Sequence, residues 1–104
     1  MIERQWKGTA HVGEADRYID HLLRETFPSL HKINGFVKAS ILKRNTPEGV
    51  EFQVATIWNS IDAIKQFAGE AYEDAVVPEV VREMMVTYDE SVAHYEIVRE
   101  ISRS

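Results

Sequence analysis

At 104 residues the chain has the length of one domain, 1–104, and a chain of this size buries only about two-thirds of the surface its unfolded form exposes. Twelve basic against 17 acidic residues give a net charge of minus 5, with the basic ones scattered along the chain, which argues against a nucleic-acid or anionic-membrane partner. The absence of cysteine removes a disulfide framework, a thiolate nucleophile and any Cys-based metal site, and no apolar run approaches the roughly 20 residues that cross a bilayer. The opening stretch MIERQWKGTA carries charge where a signal peptide has a continuous apolar run, so a cytoplasmic location is expected.

Residues 2–10 predict a strand whose parities separate Ile2, Arg4, Trp6, Gly8 and Ala10 from the polar Glu3, Gln5, Lys7 and Thr9. Ala15, Tyr18, Ile19, Leu22, Leu23, Phe27 and Leu30 then recur at helical spacing, with Asp16, Asp20, His21, Arg24 and Glu25 opposite. Pro28 is expected to kink or end this helix early, because proline lacks a donor and crowds the preceding turn.

After Asn34 and Gly35, residues 36–43 read as a second strand. The turn sequence Thr46-Pro47-Glu48-Gly49 leads into a third strand at 50–58. Ser60 is placed to cap a helix through Ile61, Ala63, Ile64 and Phe67, which Gly69 ends. A further helical piece is expected from 71 to 77, meeting Pro78 and continuing less regularly through Met84 and Met85, which fill core space, with a turn at 89–91 and a last strand at 92–101.

The predicted order β-α-β-β-α-β is that of a ferredoxin-like α+β sandwich. The third strand offers Phe52, Val54 and Trp58 on one parity but Ala55 and Ile57 on the other. Helices of the same chain cover only one sheet face, so a homodimer with the second faces packed together is expected.

The pair Gly35-Phe36, the segment from Ile57 through Trp58, Asn59 and Ser60 to Ile64, the aromatics Phe67 and Tyr72, and the closing His94-Tyr95-Glu96-Ile97-Val98 together resemble the antibiotic biosynthesis monooxygenase superfamily over about residues 2–100. The resemblance implies a dimeric α/β barrel and a range of activities, from cofactor-free oxygenation of anthrones or quinols to heme degradation. Its heme degraders carry an Asn on the first strand and a Trp and a His in the second helical region. The matching positions here are Trp6, Phe67 and Val77, which leaves no axial imidazole at that place. Its anthrone oxygenases imply a pocket tyrosine, matched by Tyr72.

Among the residues themselves, His94 stands out as an acid–base candidate because it lies inside a predicted strand beside Tyr95. His21 reads as a solvated surface residue on the polar helix face, while His11 and His31 fit element ends. No His, Asp or Glu spacing suggests a metal site, and no cofactor is expected. Trp58 reads as core, whereas Trp6 with Arg4 and Gly8 on one strand face combines bulk, a charge and a gap, as a pocket needs.

The expected function is a cofactor-independent monooxygenase acting on a small aromatic or quinol-like ligand held between sheet and helices. His94 and Tyr72 are its expected catalytic groups, and Arg4, Trp6 and Phe67 its substrate-binding groups. A non-catalytic small-molecule-binding dimer and an isomerase or lyase on the same barrel are the alternatives.

Overall fold

A computed structural model describes residues 1–103. Its sheet is antiparallel and built from β1 (Ile2–Ala10), β2 (Phe36–Thr46), β3 (Gly49–Trp58), β4 (Met85–Tyr88) and β5 (Ala93–Glu96). The hydrogen-bonded order is β2-β3-β1-β4, with β5 also paired to β1. β4 opposes Gly8–Ala10 of β1 and β5 opposes Ile2–Gln5. The two short strands therefore lie end to end as one interrupted fourth strand, and the topology is the ferredoxin-like α+β arrangement expected from the sequence.

The helices α1 (Ala15–His21), α2 (Phe27–His31), α3 (Ile61–Ala68) and α4 (Glu79–Met84) supply the second layer. α1 and α2 are joined by a π-helical turn, Leu22–Thr26, in which the Phe27 N–H reaches back to the Leu22 carbonyl. Pro28 therefore does not end the helical segment. Its missing donor and bulky ring are accommodated by widening the turn before it, and the Ser29 hydroxyl donates to the Glu25 carbonyl. α3 starts where the sequence predicts: the Ser60 hydroxyl accepts from the Ala63 N–H, and Gly69 closes the helix at φ 82°.

Three expectations are corrected. Residues 71–77 form no helix, and only the part expected beyond Pro78 is helical, as α4, with Pro78 as its N-cap; proline fits a helix start but not an interior. The last strand is confined to Ala93–Glu96, since beyond it Val98 and Ile101 are 88% and 87% exposed and no sheet partner holds them. β4 was not expected at all, because its four residues follow α4 directly and carry too short an alternation to register.

β1 and β3 are aligned so that Arg4 faces Thr56, Trp6 faces Val54 and Gly8 faces Phe52. These side chains share the helix-covered face, where Phe52 and Trp58 are fully buried. Two apolar clusters form there: one around Tyr18, Leu22, Phe52, Val81, Met84 and Met85, the other around Leu30, Trp58, Ala63 and Ile64, with Phe27 touching both. The opposite sheet face carries Glu3, Gln5, Gln53 and Arg44 along with Ala55, Ile57, Leu42 and Tyr95, and Leu42 and Tyr95 are exposed. No helix among the described residues is long and apolar enough to cross a membrane.

Candidate active site

A cavity of about 80 Å³ opens between the two clusters, floored by Arg4, Trp6 and Thr56 of the sheet and roofed by Leu22, Phe27 and Val81 of the helices. Phe67 and Val77 close one side. The sequence-predicted binding residues Arg4, Trp6 and Phe67 therefore share one wall system, and Val77 lies there too. Tyr72 and His94 do not line the cavity. They stand behind Arg4, with their rings 5.3 Å apart and edge-on.

Arg4 organises this region. It is 5% exposed, and no carboxylate pairs with it among the described residues. Its Nη1 donates to the Tyr72 carbonyl and, at 3.0 Å, to His94 Nε2, while Nη2 donates to the Asp74 carbonyl at 3.2 Å. The Phe67 ring lies 5.7 Å from the guanidinium carbon and adds cation–π stabilisation. Burial pulls the Arg4 pKa down to about 10, which still leaves it charged at neutral pH. A buried cation whose partners are dipoles retains much of its field, because no anion cancels it.

The contact with His94 follows from register, since Arg4 and His94 are direct cross-strand partners of β1 and β5. Arginine has only donors, so Nε2 must be the acceptor and the proton sits on Nδ1 of a neutral ring. Burial first, and the Arg4 charge second, hold His94 below the ordinary imidazole value of 6.5, against an opposing pull from Glu73. The unfolded chain thus takes up this proton at higher pH than the folded one. Stability is full above about pH 6.5 and falls as pH drops through the lowered folded value, where the loss levels off. His94→Gln is expected to flatten that stretch of a melting-temperature profile; an unchanged slope would show that His94 is not held neutral.

The segment from Gly69 to Pro78 has no helix or strand, and its Val76, Val77 and Pro78 line the cavity. Besides the two carbonyls given to Arg4, it is tied by the Ala75 N–H to the Glu90 carbonyl and by the Val92 N–H to the Glu73 carbonyl. Val76, on the cavity edge, is 48% exposed. The cavity is smaller than the about 300–1,000 Å³ of sites for drug-sized ligands.

Trp6 has a double attachment. Its Nε1 donates to the Asp89 carbonyl at 2.8 Å, in the loop that interrupts the fourth strand, and its ring stands 6.1 Å from Tyr18 and 6.5 Å from Tyr88. The indole also lies over Gly8, where any Cβ would collide with it. The gap inferred from the sequence at Gly8 is thus filled by Trp6 itself. A second, polar cleft of about 420 Å³ lies on the other sheet face beside Gln5, Lys7, Asp89 and Tyr95. It is larger, but it has no buried charge and no apolar enclosure.

Sequence reasoning missed His21, Tyr18 and Thr26, all of which line the cavity. His21 is half-buried, not solvated as expected. It follows Tyr18 by three residues and precedes Leu22, so it borders the apolar stripe, and that adjacency was the one available signal.

No family model matches the sequence, and no curated protein matches it significantly. Solved structures do share its architecture. A candidate antibiotic biosynthesis monooxygenase from Bacillus cereus superposes with a TM-score of 0.69 at 18% identity, covering 99% of this chain and 96% of that one. SnoaB from Streptomyces nogalater, a cofactor-independent oxygenase, in its N63A form, gives 0.68 at 12% identity over 98% and 97% of the two chains. The heme degrader MhuD of Mycobacterium tuberculosis, with two hemes in its active site, gives 0.68 at 15% identity over 98% and 100%. Element order, sheet topology and these superpositions agree: the chain has the fold of the antibiotic biosynthesis monooxygenases.

Proposed function

We propose that the protein is an oxygenase that binds a small, weakly acidic aromatic compound, such as an anthrone or quinol, between sheet and helices and hands its anion directly to dioxygen. The observation that carries this reading is the buried, acid-free Arg4 in the floor of a mainly apolar cavity. Such a fixed cation lowers the free energy of an enolate or phenolate far more than that of its neutral parent, which is how a site favours charge that develops during reaction. SnoaB, a cofactor-independent oxygenase, has the same fold.

The chemistry balances without another reactant. An acidic CH₂ loses a proton to a base, and the carbanion reduces dioxygen. The two combine as a peroxide anion that regains the proton to give the hydroperoxide, and loss of water leaves a ketone, so one dioxygen yields one ketone oxygen and one water. Oxygen uptake with anthrone tests the reaction. Val77 offers heme no iron donor and Trp6 occupies the cavity floor, so His21 is the imidazole among the lining residues that could reach an iron there.

A non-catalytic ligand-binding protein is the second reading, favoured by the engagement of His94 Nε2 with Arg4, which leaves that imidazole no free acceptor. In either case we place two chains with their open sheet faces together, because Leu42 and Tyr95 are exposed there beside Ile57. Sedimentation is expected to give about twice the 12.0 kDa chain mass at micromolar concentration, and a monomer would contradict the paired sheets.

A further inference from the structure

The oxygenase reading requires a base, and the imidazole favoured by sequence is committed elsewhere. His94 Nε2 already accepts from Arg4, so taking a substrate proton there would break that bond and set a second cation beside the first. Tyr18 lines the cavity, but burial pushes its phenol well above the ordinary tyrosine value, so it remains protonated.

His21 has the opposite situation. It lines the cavity from the helical layer, and Arg4 lines the same cavity from the sheet. The charged side chains around it on the helix pair with each other, Arg17 with Glu14 and Arg24 with Asp20, and no ion pair takes up His21 among the described residues. The π turn begins at the next residue and brings Leu22, Thr26 and Phe27 into the same wall; widened turns of this kind recur at functional sites. Arg4 and Tyr18 are the other titratable groups lining the cavity. Asp16, Asp20 and Glu25 of its own helical segment, and Glu79, Arg82 and Glu83 of α4, are all exposed.

We propose that His21 is the proton acceptor of this site, removing the acidic hydrogen of the substrate while Arg4 holds the resulting anion across the cavity, and that His94 serves only to position Arg4. This rests on the oxygenase reading for its substrate class, but the proton transfer is measurable without oxygen. The imidazolium formed on His21 then returns its proton to the peroxide anion, giving the hydroperoxide, so the residue ends each cycle neutral.

The experiment uses anthrone as probe and protein carrying ¹⁵N-labelled histidine. Under anaerobic conditions, anthrone is expected to develop the absorbance of its enolate while the His21 ring nitrogens shift to imidazolium values and those of His94 stay neutral. His21→Ala should retain binding and melting temperature, lose the enolate band, and oxidise anthrone at least about 100-fold more slowly. Added imidazole should restore part of its rate and none of that lost in His94→Ala.

Enolate and imidazolium without oxygen uptake would refute the oxygenase reading and leave His21 as the base. Oxygen uptake undiminished in His21→Ala would overturn His21 and leave the oxygenase reading standing. No enolate and no uptake in the unaltered protein would overturn both.

Discussion

Arg4→Met is expected to lower the oxygenation rate of anthrone by about 10²- to 10³-fold, the usual consequence of removing one fixed donor from a developing oxyanion. Methionine keeps the length and apolar stem but carries no charge, so the substrate anion loses its counter-charge in a cavity whose other walls are mainly apolar. Stability should fall by only about 1–3 kcal/mol. The Tyr72 and Asp74 carbonyls and His94 Nε2 lose their donor, while the burden of keeping a cation buried disappears. Arg4→Lys separates the two roles. It retains the charge but replaces a planar fork with a point donor that does not span both carbonyls and the imidazole. A partial rate with loosened amides in residues 69–78 by hydrogen exchange is expected; a normal rate in Arg4→Met would remove Arg4 from the chemistry.

Trp58→Ala should cost about 3–5 kcal/mol of stability, as emptying a packed aromatic site does. Trp58 is fully buried, stacks 6.2 Å from Phe67, meets Phe36 edge-on at 5.3 Å, and donates its Nε1 to the Thr56 hydroxyl at 2.8 Å. Trp6→Ala should cost roughly 1–2 kcal/mol, since its half-buried ring lines the cavity and its removal enlarges existing space. Tyr72→Phe should move stability by less than about 0.5 kcal/mol, because the backbone carbonyl of Tyr72, not its phenol, holds Arg4. Urea unfolding of the three variants gives the comparison. Equal losses for Trp6→Ala and Trp58→Ala would make Trp6 plain core and close the cavity as a site.

The sequence carried the layer order because strand alternation and helical spacing are local signals. The parity of β1 alone put Arg4, Trp6 and Gly8 on the face that the helices cover, and the Ser60 cap and Gly69 stop marked α3 to the residue. What stayed hidden is what sequence separation conceals. Arg4 and His94 meet only because β5 pairs with β1 across 90 positions, so His94 looked like a free base when it is an acceptor for a buried cation. His21 looked solvated because an ideal helix sets it beside Asp20 and Arg24, whereas the Tyr18 side of the segment turns toward the cavity ahead of the π turn. The turn expected at 89–91 is the break between β4 and β5, but that it gives Trp6 its acceptor at Asp89 depends on a contact across 83 positions that no local signal carries.

The most direct test of the central claim is oxygen consumption measured against product with anthrone in metal-free, flavin-free buffer. Uptake of one dioxygen per anthraquinone formed is expected, saturating with substrate and suppressed by Arg4→Met in step with the loss of bound enolate. Saturable binding of anthrone with no oxygen uptake would contradict it and leave a protein that holds its ligand without reacting it.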